Sequence, residues 1–503
     1  MRNTLILLCV LTILSCGKEQ LESNNQEALM SVKDIDQQIL NAMGTDQIWD
    51  WSQADNKMLY SALMQSDSIL SIGYAVDGLS IKDDLGSAKW SHEKMTVKRN
   101  ELIEQLLKME SDYRSKTLTQ KDLLPFGLDD DIPNITIQIT NPAVLEWLNS
   151  RTDIRYVEPS GYYLQTQIST RSSSGCDDDP DNNINSADYD NIAPGCKEPW
   201  NFDNHGISTA WNCSQGDNIG ICIVDTGASD NQDNLGSQFT SGFSGGRWID
   251  KQSTLYSGFW WWQSLDSPHD DCGHGTSMAG LAAAPRGTDG NATGVAYKSN
   301  LLTINAVEDV IINTSHEKNG VKNALIKAGK RGDMHVISMS IGSIFSIGKV
   351  KDGVQYAYNK GKLIMAAAGT STSFTNWFGV IFPASMNETT AITGVKDQAT
   401  LERCNTCHSG NKVDYVITMQ RAFDSSRNSL SLAGYSNQPK YISGSSCATA
   451  TAAGIAALVW ANDPGQSRSD VLNTLTVTSQ LYPNQDSDYG YGNLNAAAAV
   501  CAD

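Results

Sequence analysis

Ser443-Gly444-Ser445-Ser446-Cys447-Ala448-Thr449-Ala450-Thr451-Ala452-Ala453-Gly454 is the stretch on which the reading of this chain depends. A glycine that permits a tight turn is followed by two hydroxyls, and the run of small residues continues into Ile455-Ala456-Ala457-Leu458-Val459-Trp460. Apolar on every side, the run predicts a helix buried all round and small enough for close packing. A serine in its first turn would lie at the positive end of the helix dipole, beside N–H groups that lack an intrahelical partner. Both features would stabilise an oxyanion next to its Oγ. The same pattern also describes an ordinary capped core helix, so the rest of the chain has to decide between them.

Two other stretches bring matching chemistry. Ile219-Gly220-Ile221-Cys222-Ile223-Val224 is a buried-type strand ending at Asp225-Thr226-Gly227. A carboxylate at the C-terminal end of a parallel strand lies where open α/β sheets form their sites. Asp-Thr-Gly also occurs in aspartic proteases, but those need two such loops and this chain has one. Asp270-Asp271-Cys272-Gly273-His274-Gly275-Thr276-Ser277-Met278-Ala279-Gly280 places a histidine between two glycines at the start of a small-residue helix. That gives its ring backbone room to face a neighbouring side chain.

Asp225, His274 and Ser446, in that order and on those elements, resemble the three signatures of the subtilisin-like serine peptidases, or subtilases. The order is not the Ser…Asp…His of α/β-hydrolases, and Gly444-Ser445-Ser446-Cys447-Ala448 lacks the closing glycine of their nucleophile elbow. The resemblance covers about Pro199 to Val500. It takes in Trp200 to Trp211, Gly294-Val295-Ala296 with Leu301-Leu302, Val336 to Gly342, Ile364 to Gly369, Phe382-Pro383-Ala384 and Tyr489 to Asn495. It implies a three-layer α/β/α fold with a mostly parallel sheet, and a serine endopeptidase that works through an acyl-enzyme without a required cofactor. Ser446 would be the nucleophile, His274 the base and then acid, and Asp225 the group that holds the imidazole. Ser340, Gly342, Ala368 and Gly369 would flank the substrate, which would pair with those strands in extended form. The small, apolar lining implies an uncharged side chain before the cut.

Two positions depart from the family pattern. Thr370 stands where an asparagine usually supplies the side-chain oxyanion donor, whose loss costs about 10²–10³-fold in subtilisin itself. Asn376, in the following loop, is a candidate substitute. Ala450 replaces a proline near the start of the nucleophile helix, a position where proline is only a convenience. The loop Pro285 to Thr293, with Asp289 and Asn291, falls where some relatives bind calcium, and two oxygen side chains indicate such a site only weakly.

The length of 503 residues suggests two or three domains. With 40% apolar and 18% charged residues the chain is globular, and its net charge of −19 argues against nucleic acid or an anionic membrane surface as its main partner. Residues 1–15 read as an export signal: Arg2 precedes the apolar run Leu5 to Leu14, which is too short to span a bilayer. The run stops at Ile13-Leu14-Ser15-Cys16-Gly17, which resembles the lipobox of bacterial lipoproteins and implies lipidation at Cys16 and anchoring to a bacterial membrane. Residues 16–27 form a polar tether.

Residues 28–164 make an α+β unit without obvious catalytic residues. Leu102, Ile103, Leu106 and Leu107 recur at helical spacing, Ile135, Ile137 and Ile139 alternate as in a strand, Asn141-Pro142 opens a helix, and Ile154 to Pro159 is a second strand. By resemblance this is the inhibitory propeptide, with residues 28–85 matching less well, as an added extension would. Residues 165–195, rich in serine and aspartate, read as an exposed linker carrying the processing site, and 196–503 as the peptidase domain. Nine of the eleven cysteines fall in the exported part, so at least one thiol there is unpaired. Spacing offers Cys176 with Cys196, and Cys404 with Cys407, as staples, and leaves pairing open. Cys404-Asn405-Thr406-Cys407-His408 also matches the C-x-x-C-H haem pattern, without a second axial ligand or cofactor domain nearby. Phe259-Trp260-Trp261-Trp262 fits a packed loop better than a cleft lining. Two other readings stay open: a binding or regulatory protein on the same fold, weakened at Thr370, and a maturation protease dedicated to one exported partner.

Overall fold

The computed structural model describes residues 28–43, 48–76, 85, 91–165, 175–258, 263–370 and 379–501. Cys16, the aromatic run 259–262 and Asn376 lie outside the described residues.

The first unit contains helices α1 (Val32–Met43), α2 (Asn56–Met64), α3 (His92–Tyr113), α4 (Gln120–Leu123) and α5 (Ala143–Asn149). They pack on an antiparallel sheet of strands β1 (Ile69–Tyr74), β2 (Asn134–Gln138) and β3 (Ile154–Pro159), in the order β2-β1-β3. The expected strand–helix–strand is present as β2, α5 and β3, and Asn141 Oδ1 accepts from Ala143 N at 3.0 Å to cap α5. The central strand, however, is β1. Residues 69–74 therefore complete the sheet and are not an extension added to it, although every one of them is buried and so shows no alternation.

Among the described residues, the second unit holds strands β4 (Tyr189–Ile192) to β16 (Pro439–Ile442) and seven α-helices. Its centre is a seven-stranded, all-parallel sheet built from β6 (Gly220–Asp225), β7 (Ile249–Ser253), β10 (Asn300–Asn305), β11 (Val336–Met339), β12 (Leu363–Ala367), β13 (Thr390–Lys396) and β14 (Tyr415–Gln420). Small antiparallel pairs lie outside it: β4 with β5 (Cys196–Pro199), β8 (Tyr256–Ser257) with β9 (Ser264–Leu265), and β15 (Ser429–Leu432) with β16. The strand order is β14-β13-β12-β11-β6-β10-β7. The chain moves from β6 outward to β7, returns to β10 and then crosses to β11, so the order reverses at β6. Asp225 is the last residue of that strand, at the edge where such sheets open a crevice.

Helix α6 (Ile207–Ala210) precedes the sheet, while α7 (His274–Ala283) and α10 (Gly444–Asn462) cover one face with α11 (Arg468–Val477) and α12 (Ala496–Val500) nearby. Helices α8 (Ser315–Lys330) and α9 (Gly348–Asn359) pack against each other on the other side. The α/β class with layered helices is as the sequence implies. α10 is long and apolar enough to cross a membrane, but 94% of that window is buried inside the protein, so it is the core helix its small residues predict.

The first unit docks on α8 and α9 through buried polar contacts. Arg155 and Tyr156 both reach Asp352, Tyr156 Oη at 2.8 Å, and both Glu158 carboxylate oxygens accept from Gly348 N at the start of α9, at 3.0 and 2.9 Å. Lys349 Nζ donates to Thr136 and Ser160, at 2.9 and 3.2 Å. Trp49 exchanges backbone hydrogen bonds with Ile344 and Ser346, and Trp51 stacks on Phe345.

The disulfides correct one expectation. Cys176 is bonded to Cys272, not Cys196, which remains a buried thiol. Cys213 joins Cys501 across 288 residues of sequence, a pairing that spacing cannot suggest. Cys404–Cys407 forms as expected, which closes both sulfurs of the C-x-x-C-H run to a haem. The acidic segment also differs from a spacer beyond Gly175. It is largely exposed, yet β4 pairs with β5, and the buried Asp188 receives Arg421, Arg427 and Tyr441.

Candidate active site

The sheet's reversal point and the starts of two helices meet at one place. His274 is the first residue of α7, and its Nδ1 donates to Asp225 Oδ1 at 2.7 Å. The carboxylate can only accept, so this bond fixes the proton on Nδ1 and leaves Nε2 as the acceptor. Gly275 is needed for the approach, because a Cβ there would stand 2.4 Å from the Gly227 carbonyl oxygen. Asp225 Oδ1 also accepts from Thr226 N at 2.9 Å, while the buried Oδ2 has no hydrogen-bond partner among the described residues. Burial by itself would lower the His274 pKa, but the Asp225 charge and hydrogen bond, with Asp270 adding, raise it above the ordinary value.

Ser446 is the third residue of α10, so its N–H is among those the helix leaves without a partner. Gly444 makes the turn into the helix at φ +84°, where a side chain would be strained and would meet Thr370 Oγ1 at 2.8 Å. Ser446 Oγ donates to the Ser340 carbonyl oxygen at 3.2 Å, and Ser340 Oγ donates to the Ser446 carbonyl oxygen at 3.1 Å.

Ser446 and His274 line one cleft of about 470 Å³. Its walls include Ser340, Gly342 and Gly369, with Val310, Ile311, Ile341, Ile344 and Ile381 supplying apolar surface. Ala368 is absent from this wall. Ala367, the last residue of β12, lines the cleft, whereas Ala368, just beyond the strand, is buried in a cluster with Val395, Val413 and Val416. Thr370 lines the cleft and is held by Ser445, accepting from Ser445 N at 3.3 Å and sharing a 3.1 Å bond with Ser445 Oγ.

Two further positions matter, one missed from sequence and one weakened as a ligand site. Asp270, buried four residues before His274, accepts from Thr226 Oγ1, Cys272 N, Gly273 N, Thr276 N and Thr276 Oγ1 at 2.6–3.0 Å. It knits the start of α7 to the loop after β6. The signal was present in the Asp270-Asp271 pair before Cys272-Gly273-His274, where a carboxylate near a helix start finds unpaired N–H groups. In the loop 285–293, by contrast, the oxygens are already taken by N–H donors. Asn234 Nδ2 donates to Asp289 Oδ2 at 2.7 Å, Asn291 N to Asp289 Oδ1 at 3.1 Å, and the Lys197 ammonium to the Gly290 carbonyl. An ammonium at the loop's carbonyl does not fit a calcium ion in that place.

A family model described as the Subtilase family matches residues 216–492. Thermitase of Thermoactinomyces vulgaris is 26% identical over 291 residues, which span 58% of this chain and 91% of that protein. The thermophilic serine proteinase of Bacillus sp. (strain AK1) is 25% identical over 429 residues, 84% of this chain and 93% of that protein. Among solved structures, fervidolysin from Fervidobacterium pennivorans, a keratinolytic enzyme related to subtilisin, shares the fold with a TM-score of 0.59 at 17% identity. That likeness covers 87% of this chain and 61% of fervidolysin.

Proposed function

The chain belongs to the subtilase family of serine-type endopeptidases, and from that membership we propose that it cuts polypeptides with Ser446 as nucleophile, His274 as general base and acid, and Asp225 as the group that holds the imidazole. The observation that carries this reading is the 2.7 Å Asp225–His274 bond opening on a cleft that Ser446 shares. Ser446 Oγ turns from the Ser340 carbonyl to His274 Nε2, gives up its proton there and attacks the peptide carbonyl. The imidazolium so formed is stabilised by Asp225, then protonates the leaving amine, and water releases the acyl-enzyme by the same path in reverse. The oxyanion develops beside Ser446 N at the positive end of α10, with the Thr370 hydroxyl as the side-chain donor. The apolar walls favour an uncharged side chain before the cut.

The first unit, residues 28–164, acts as a propeptide that is removed on activation. Its sheet rests on α8 and α9, and Trp49 bridges to the irregular segment after β11, whose Ile344 lines the cleft. Gly175 lies on the cleft itself, so the chain re-enters the second unit beside His274. Export and lipidation at Cys16 rest on the sequence alone. Wild type and Ser446→Ala are compared for loss of the N-terminal unit and for fluorophosphonate labelling. The wild type should mature and label and the variant should do neither; a wild type that does neither ends the proposal. Fatty-acid labelling against Cys16→Ala tests the anchor.

A further inference from the structure

The acidic segment after Gly175 is laid across the rim of the cleft. Cys176 is disulfide-bonded to Cys272, two residues before His274. The Asp177 carboxylate meets Lys440 Nζ at 2.9 Å, and the same ammonium donates to the Asp177 carbonyl. The Asp178 carbonyl accepts from Gly434 N at 2.8 Å. Asp181 grips β16 twice: its N–H donates to the Pro439 carbonyl at 3.2 Å, and its carboxylate accepts from Tyr441 N at 2.7 Å. The packing against Gly273 is close enough that a Cβ there would stand 2.7 Å from both the Asp177 carbonyl oxygen and Asp178 Cα. One short segment thus joins the turn that starts α7 to the strand that leads into α10, the two elements carrying His274 and Ser446.

The charges are arranged unevenly. The Lys440 side chain is 4% exposed and lines the cleft, whereas Asp177 is 64% exposed. A buried ammonium without its carboxylate is costly and projects its field onto its neighbours. Facing His274 are Asp225 at the end of β6, Asp270 in the turn before α7, and Lys440 on β16, with Asp177 between Lys440 and solvent. Lys440 opposes the two aspartates by disfavouring the imidazolium.

We propose that Cys176–Asp181 stays on the mature enzyme as a clasp, retained by the Cys176–Cys272 bridge, and that Asp177 is a positioning residue which acts on His274 by neutralising Lys440. This rests on the catalytic reading of His274 and Ser446. It places the processing bond ahead of Cys176, so the new N-terminus is kept beside the site where it was cut. Removing the Asp177 charge leaves Lys440 uncompensated and lowers the pH at which His274 protonates. Removing Lys440 leaves Asp177 uncompensated and raises it.

The test uses the matured full-length product. Mass spectrometry without reduction should find a chain that begins at or before Cys176 with Cys176–Cys272 intact. The acid limb of kcat/KM on a peptide substrate should move to lower pH by about 0.3–0.5 unit in Asp177→Asn, return in Asp177→Glu, and move to higher pH in Lys440→Gln. A structural role alone would lower activity at all pH values without moving the limb. A mature chain that begins beyond Cys176, or an Asp177→Asn limb superimposed on the wild type, overturns the clasp. Asp177 is exposed, so its variant decides the matter even where the buried Lys440→Gln fails to fold. A wild type that binds no fluorophosphonate instead takes down the catalytic reading, and the clasp with it.

Discussion

Ser446 and Ser340 exchange hydroxyl-to-carbonyl hydrogen bonds at 3.2 and 3.1 Å, tying the first turn of α10 to the end of β11. The Ser446 hydroxyl is thereby parked on a carbonyl, from which the proposed mechanism has it turn to His274. Ser340→Ala keeps the carbonyl that holds Ser446 Oγ but releases the Ser446 backbone. The expected result is a loss of about 1 kcal/mol in stability and a fall of about tenfold in kcat, with KM changed less. Urea denaturation and steady-state kinetics check the two together, and an unchanged kcat would show that the tie does not hold the nucleophile.

Asp270 accepts five hydrogen bonds, four from the turn and first residues of α7 and one from Thr226 Oγ1 in the loop after β6. Asparagine at this position presents an NH₂ where only acceptors are wanted, so at least one donor is left facing another. Asp270→Asn should cost about 3 kcal/mol, because bonds to a charged group are the stronger kind. It should also shift the acid limb of activity downward, since Asp270 adds to the charge that raises the His274 pKa. Thermal melts and a pH–rate profile read these separately; a limb that stays in place would confine Asp270 to a structural part.

What could be read from sequence was what local pattern carries. The small-residue run of α10 and the apolar strand before Asp225 announced their elements, because burial on all sides leaves one kind of composition. β1 was missed for the same cause: with all six residues buried, Ile69–Tyr74 alternates nothing and resembles any short apolar run. Cys213–Cys501 and Cys176–Cys272 are products of the fold, and spacing holds no record of them. Ala368 was placed on the cleft by its motif, yet the last residue of β12, Ala367, lines that wall while Ala368 is buried beyond it. Lys440 and Asp177 lie 263 residues apart, so their pairing emerges only when β16 and the acidic segment meet.

Thr370 lies on the cleft with its hydroxyl against Ser445, whose own Oγ accepts from Gly369 N at 3.1 Å. The proposed mechanism makes this hydroxyl the oxyanion donor, and as a short side chain it can turn toward Ser445 instead. Thr370→Ala should lower kcat by about 10-fold or more and leave KM nearly constant, the mark of a contact made in the transition state. Thr370→Asn should speed acylation. Burst kinetics with an activated ester measure that step directly, and no gain with asparagine would remove Thr370 from the oxyanion site.

Glu158 lies fully inside the contact between the two units, and burial pushes its carboxyl up to about 8 against the pull of Gly348 N. Detached, it would titrate near the ordinary glutamate value. Its contribution to docking is therefore whole below that value, declines as pH rises, and is gone above about 8. Burial acts on Lys318 and Lys349 in the opposite sense, pushing them down to about 8 and about 7. Their contributions are whole only at alkaline pH and already at their low plateau below about 7. Between pH 5 and 7 the slope thus belongs to the carboxyls, Glu158 together with Asp352, which burial also raises, with a ceiling of about 1.4 kcal/mol per pH unit for each. Hydrogen exchange of the β1–β3 amides in uncut Ser446→Ala, corrected for intrinsic rates, should show the first unit loosening across this range. Adding Glu158→Gln should make the dependence shallower while the sheet stays protected. An equal slope in the double variant would assign the pH response to another group and leave Glu158 as a helix cap alone.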